Sequence, residues 1–355
     1  MSRRTMRAAV LHAPGDLRIE RVPVPAIGPD DALVRVSACG ICGSDVPRVR
    51  TTGTYRFPTI PGHEMAGVIE ELGPQAGAAL PGLRIGTPVA VVPLVPCGRC
   101  RFCEIGAFAQ CEAYDFLGSR SDGGFAEYVR APATGLVPLP DGLAAEQGAL
   151  LEPVTVALHA MRNLGIAWGM TVAVFGLGAI GNFIAQWARA FGARRVFALD
   201  VAARKVEIAR QVGLDEAMDA AGLDVPGALK ERTGGTGVDA AFDASGSARA
   251  LEQAVASLAA FGRLGLVGRP PGEVVLPATT FEKILRGEIT LRGTWSFTST
   301  RVPHHPWEEA ARALAAGVVR TGPLVTHRIP LEDLPGAIEL MASGDASFHK
   351  ILVLP

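Results

Sequence analysis

Two patterns of hydrophobic and polar positions divide this chain near Glu146. Before it, short apolar runs at 32–36, 88–92 and 125–129 are separated by Gly- and Pro-rich turn signals, which predicts a β-rich domain of many short strands. After it, apolar runs at 171–175, 195–199, 238–242 and 264–267 alternate with helix-like stretches of Ala, Leu and Arg, the pattern of βαβ units and a parallel sheet. The alternation stops after a last strand-like run at 290–295. The apolar strand at 351–354 is expected to rejoin the first domain. The fold class is therefore α/β plus a β-rich domain, with 1–155 and 296–355 forming one domain and 156–295 the other. No internal repeat and no low-complexity linker interrupts it.

Composition narrows the function classes. With 355 residues, 48% hydrophobic and 19% charged, both domains can bury a core, and extended disorder is excluded as the dominant state. Lys plus Arg number 34 against 35 Asp plus Glu, so the basic footprint of a nucleic-acid or anionic-membrane binder is missing. The excess of Arg over Lys, which occurs only at Lys205, Lys230, Lys283 and Lys350, reflects genome composition more than mechanism. The segment Met1-Ser2-Arg3-Arg4 leads into a strand-like stretch instead of a signal-peptide core, and no run reaches the 18 or so apolar residues that span a bilayer. A soluble cytoplasmic protein is expected. Its six cysteines then sit in a reducing compartment, where close spacing points to metal rather than disulfides.

Gly176-Leu177-Gly178-Ala179-Ile180-Gly181 matches the dinucleotide fingerprint G-x-G-x-x-G, and its context gives the match weight. The run 171–175 leads straight into the first glycine, and Ile180, Phe183, Ile184, Trp187 and Phe191 follow at helical spacing. Gly176 permits a tight turn, Gly178 lets backbone approach a pyrophosphate, and Gly181 lets the helix pack on the sheet. Asp200 closes the next strand about 20 residues on, where a carboxylate accepts from a ribose 2′-hydroxyl and repels a 2′-phosphate. The expected cofactor is NAD over NADP, with Lys205 just beyond Asp200 able to soften that preference.

Cys97, Cys100, Cys103 and Cys111 give C-x2-C-x2-C-x7-C, which fits a closed tetrahedral zinc site; an iron–sulfur cluster ranks second. Such a site has no open position, so its role is structural. Cys42, His63, Glu64 and Glu152 are joined by no spacing rule. Singly, Cys42 reads as a buried small hydrophobe, His63 as a satisfied polar residue and Glu152 as a helix-end charge.

The order of motifs supplies the joint reading. Gly40-Ile41-Cys42-Gly43-Ser44-Asp45, then Pro61-Gly62-His63-Glu64, the four-cysteine lobe, Glu152-Pro153 and the fingerprint together resemble the zinc-dependent medium-chain alcohol dehydrogenases over essentially the whole chain. That resemblance implies a GroES-like β-barrel catalytic domain and a Rossmann cofactor domain, with substrate in the crevice between them. It also implies a catalytic zinc on Cys42, His63 and Glu64 or Glu152. An acid at Glu152 resembles the polyol branch. Tyr114-Asp115-Phe116-Leu117-Gly118-Ser119-Arg120 and 281–286 look most like its galactitol-1-phosphate 5-dehydrogenases, with sorbitol and xylitol dehydrogenases more distant.

The implied activity is hydride transfer from a secondary hydroxyl of a polyol or polyol phosphate to NAD, with Ser44 accepting the proton. Pro47 stands where many relatives carry a relay histidine, and Ser296 stands in place of a substrate-site arginine of sorbitol dehydrogenases. A substrate phosphate needs a basic partner, for which Arg48 and Arg120 are the candidates. Resemblance further implies a homodimer or homotetramer paired through 290–295. The competing readings are a free-polyol dehydrogenase, a zinc-free quinone or enoyl reductase of the same superfamily, and a non-catalytic NAD(H)-binding protein.

Overall fold

The computed structural model describes residues 4–79, 82–298, 305–344 and 347–355. Met1, Ser2 and Arg3 of the N-terminal segment, and 299–304 and 345–346 of the expected 296–355 portion, lie outside the described residues. The chain forms two compact units, Met1–Glu152 with Thr298–Ala316 and Val325–Pro355, and Pro153–Phe297 with Gly317–Leu324. Among the described residues no helix is long and apolar enough to cross a membrane.

The first unit is built on a seven-stranded sheet. Its order is Val325–Pro330, Lys350–Leu354, Asp31–Gly40, Glu64–Leu72, Pro88–Val91 and Leu136–Pro138, with Tyr128–Pro132 also pairing with Asp31–Gly40. The C-terminal strand does rejoin this unit, antiparallel to Asp31–Gly40 with Leu352 opposite Gly40 and Val353 opposite Cys39. Cys39 is fully buried in that strand, as a packed residue. The hairpin of Thr5–Ala13 and Asp16–Pro23 forms a separate two-stranded sheet.

The predicted run 125–129 is displaced: the strand here is Tyr128–Pro132. Gly123 and Gly124 precede it. They pack on Gly62 and Met65 so closely that a Cβ on either would collide, and the residues after them bridge to the N-terminal strand, Ala8 opposite Ala126.

The second unit holds a six-stranded, all-parallel sheet in the order Ala217–Asp219, Arg195–Asp200, Thr171–Phe175, Val238–Asp243, Leu258–Leu266 and Thr290–Gly293. That order, 3-2-1-4-5-6, is the one used by doubly wound dinucleotide-binding sheets. Every residue of Thr171–Phe175 is buried, which is why the strand reads as a continuous apolar run rather than an alternating one. The following helix, Ala179–Ala190, is buried at every position from Gly181 to Ala188. Its polar Asn182 and Gln186 sit inside because Gln186 Nε2 donates to Asn182 Oδ1 and to the Arg320 carbonyl, while its Oε1 accepts from the Arg320 N–H. The helix is thus enclosed where sequence periodicity showed a single apolar face.

Candidate active site

Glycine conformation sets up the cofactor turn. Gly176 has φ +92°, a left-handed value that a side chain resists, and a Cβ there would sit 2.8 Å from Ser245. A Cβ at Gly181 would lie 1.8 Å from the Gly176 carbonyl oxygen, so the helix starts directly against the turn. At Gly178 a Cβ would meet nothing within 4 Å. The turn therefore keeps one open face beside a helix N-terminus, which fits a pyrophosphate. Asp200, buried at the end of its strand, accepts from Leu177 N at 2.7 Å and Ala202 N at 2.9 Å, and Lys205 Nζ lies 4.0 Å from it. Ile180 is half-buried in the first turn of the helix.

In the first unit the sulfurs of Cys97, Cys100, Cys103 and Cys111 all lie within 4.8 Å of one another. Cys97 Sγ is 3.9 Å and Cys100 Sγ 3.6 Å from Cys103 Sγ. A tetrahedron with arms of about 2.3 Å has edges of about 3.8 Å, so the set is sized for one zinc ion. Its proton affinities are split. The backbone N–H of Glu112 draws the Cys100 thiol down to about 6, while burial and the neighbouring thiols push Cys103 up to about 11. Four such sulfurs ionise together only around a shared cation, and this is the structural zinc site.

Cys42, His63 and Glu64 form the second group, again within 4.8 Å of one another. Cys42 follows the strand Asp31–Gly40, and Glu64 opens the strand Glu64–Leu72 that pairs with it, Gly40 opposite Glu64. Gly40 leaves room for the Glu64 carboxylate, since a Cβ would lie 2.2 Å from Glu64 Oε2.

Two residues that sequence reasoning did not single out hold the cluster in place. Asp45, fully buried, accepts from Cys42 N at 2.9 Å and stands 3.4 Å from His63 Nδ1. The two side chains face each other as a buried ion pair on the Nδ1 side of the ring. Burial works against the His63 imidazolium, but Asp45 and Cys42 hold its proton well above the usual histidine range. Lys350, 4% exposed, forms an ion pair with Glu64 and donates to Ile41 O at 2.9 Å. Asp45 was visible within the quoted Gly40–Asp45 motif. Lys350 gave no signal beyond being one of four lysines.

Glu152 is buried near the start of helix Leu151–Leu164, outside the three-residue group. Burial first, and then the Glu64 charge, push its carboxyl up to about 7. Ser44 lies beside Cys42, and its Oγ accepts from Arg48 Nη1 at 3.0 Å, while Arg48 is also 3.5 Å from Asp45. Phe116 packs on His63 with ring centroids 5.7 Å apart. Buried acids and a thiol thus outnumber the buried bases around His63, the balance a divalent cation corrects.

Comparison with known proteins agrees with this donor set. Residues 28–141 match the alcohol dehydrogenase GroES-like domain and residues 179–316 the zinc-binding dehydrogenase family. The chain is 33% identical to galactitol 1-phosphate 5-dehydrogenase of Escherichia coli (strain K12), over 99% of this chain and 100% of that protein. It is also 33% identical to sorbitol dehydrogenase of Bacillus subtilis (strain 168), over 99% of this chain and 97% of that one. The crystal structure of galactitol-1-phosphate dehydrogenase from Escherichia coli superposes with a TM-score of 0.91, covering 99% of this chain and 100% of that one at 33% identity. An oxidoreductase acting on CH–OH groups with NAD(P) follows, and the chain belongs to the zinc-containing medium-chain alcohol dehydrogenases, among their polyol-dehydrogenase-like members.

Proposed function

We propose that the protein oxidises a secondary hydroxyl of a polyol, a sugar alcohol or a sugar-alcohol phosphate of the galactitol 1-phosphate type, to a ketone with NAD as acceptor. The balance is CH–OH plus NAD+ to C=O plus NADH and a proton. The observation that carries the reading is the Cys42–His63–Glu64 cluster with Ser44 beside it, a donor set that a binding or structural protein does not need. The unit Met1–Glu152 with Thr298–Ala316 and Val325–Pro355 then serves as the catalytic domain, and Pro153–Phe297 with Gly317–Leu324 as the NAD domain.

Cys42 and His63 would hold the catalytic metal together with Glu64, whose carboxylate belongs to the same cluster, and buried Glu152 is the alternative acid. When bound, the ion supplies Lewis acidity toward a hydroxyl oxygen and the nicotinamide supplies the hydride acceptor. Ser44 Oγ takes up the alcohol proton and releases its own. Arg48 donates to that oxygen and cannot accept a proton, so it sets the Ser44 hydrogen pointing away from itself. Pro47 offers no base, and water completes the exit. Asp45, beside His63 Nδ1, would orient the ring once the metal displaces its proton.

Gly176, Gly178, Ile180 and Gly181 cradle the pyrophosphate, and Asp200 selects NAD through the ribose hydroxyls, with Lys205 at its side.

The chain associates as a homodimer or homotetramer through Thr290–Gly293. All four residues of this sheet-edge strand are exposed, and Phe281, Leu285 and Trp295 of the same unit are exposed as well. Light scattering is expected to return a dimer or larger, and a monomer would contradict this. The activity itself is tested by NADH formation on a polyol panel with Cys42→Ala and His63→Ala as controls. Both variants should lose turnover while still binding NADH.

A further inference from the structure

Sequence offered two arginines for an anionic end of the substrate, and their surroundings separate them. Arg48 is committed: it bonds Ser44 Oγ and pairs with the buried Asp45. Arg56 pairs with Asp122 at 3.0 Å, and Lys350 pairs with Glu64. Arg120 is different. Its guanidinium carbon lies 4.0 Å from the ring centroid of Tyr55 and 4.4 Å from that of Tyr114, held between two aromatic faces. Its Nε is buried without a hydrogen-bond partner, and among the described residues no carboxylate forms an ion pair with it.

The turn that carries Arg120 is anchored to the metal cluster. The Phe116 carbonyl accepts from the N–H groups of Ser119, Arg120 and Ser121 at 3.1, 2.9 and 3.3 Å. Gly118, at φ +86°, rests on Gly62, the residue before His63, so closely that a Cβ would sit 2.4 Å from the Gly62 oxygen. Phe116 packs on His63 on one side and on Tyr114 on the other, at 5.7 and 6.5 Å between centroids. From the ring of His63 to the guanidinium of Arg120 there are only two intervening aromatic side chains.

We propose that Arg120, oriented by Tyr55 and Tyr114, binds a terminal oxyanion of the substrate and so selects polyols bearing a phosphate monoester or carboxylate over neutral ones. This rests on the polyol reading above. The two rings hold the guanidinium in one orientation before substrate arrives, so little side-chain entropy is left to lose when it closes a charge-assisted, bidentate contact. Tyr55 and Tyr114 are positioning residues in this arrangement.

The test is calorimetric titration of galactitol 1-phosphate, L-idonate and galactitol into the zinc-loaded protein with NADH, alongside steady-state kinetics, for wild type, Arg120→Met and Arg120→Lys. R120M is expected to weaken binding of the anionic ligand about 10- to 100-fold, acting mainly through KM, with at least a tenfold smaller loss on galactitol; R120K recovers part of it. Tyr55→Leu, a change at an exposed ring, should shift the ester in the same direction by less. Preference for L-idonate over the phosphate ester, lost in R120M, identifies the oxyanion as a carboxylate. An equal loss on all three ligands, no loss, or a wild type that binds neither anion overturns the proposal. Turnover of neutral polyols with no Arg120-dependent anion binding refutes this inference alone. Arg120-dependent binding of the ester without oxidation of any polyol refutes the proposed activity alone.

Discussion

Lys350→Met isolates the buried ion pair behind the metal cluster. Glu64 and Lys350 are 1% and 4% exposed, so neither charge is relieved by water. Methionine keeps most of the aliphatic stem, which passes close enough to Gly40 that a Cβ there would meet Lys350 Cε at 3.0 Å. The change therefore removes the ammonium group, its pairing with Glu64 and its bond to the Ile41 carbonyl, with little loss of packing. Stranding one partner of a buried pair costs about 3–5 kcal/mol. For a unit of this size each kcal/mol moves the melting midpoint by about 2–4 °C, so the variant should melt about 6–20 °C below wild type. Zinc loading should shrink the difference, because the ion gives the stranded carboxylate another counter-charge. Glu64→Gln combined with Lys350→Met removes both members of the pair, so neither is stranded, and should recover at least about 2 kcal/mol of the single-variant loss. Urea and thermal melts followed by circular dichroism measure all three. A K350M protein within about 1 kcal/mol of wild type, or a double variant no more stable than the single, would refute the coupling.

Three further outcomes follow from local geometry. Phe261 holds φ +61° with its ring 71% exposed, so Phe261→Gly should raise stability by about 1 kcal/mol, and a lower urea midpoint would contradict this. Gly178→Ala has room for its methyl and should fold normally yet lose NADH binding in a fluorescence titration, whereas Gly181→Ala collides with the Gly176 carbonyl and should lower stability as well; equal behaviour of the two would count against the cradle. Cys103→Ser should remove one zinc per chain by elemental analysis and lower the melting midpoint while the Cys42 site still loads, and an unchanged zinc content would show that the four sulfurs do not share an ion.

Legibility in the sequence followed the range of the interaction. Thr171–Phe175 and its glycine turn were readable because strand, turn and helix are consecutive, and each glycine answers to a local contact. The four-cysteine lobe was readable for the same reason. The Cys42–His63–Glu64 cluster was not, since it depends on two strands pairing across the sheet, and only the resemblance joined its members. Lys350 was hidden further still: the pattern returned the last strand to the first domain but could not name Asp31–Gly40 as its neighbour, and that pairing brings Lys350 to Glu64. Burial of Asn182 and Gln186 escaped periodicity because their partner, Arg320, comes from a distant segment that returns to the second unit. The separation of Arg48 from Arg120 likewise needed the neighbours that tertiary structure supplies.

The most direct test of the central claim is NADH formation at 340 nm by zinc-loaded protein offered galactitol 1-phosphate, galactitol, altritol, xylitol and sorbitol at equal concentration. The account predicts NADH from at least one of them, lost on chelation, restored by zinc and absent in Cys42→Ala. NADH binding without oxidation of any polyol, or turnover that survives complete removal of zinc, would contradict it.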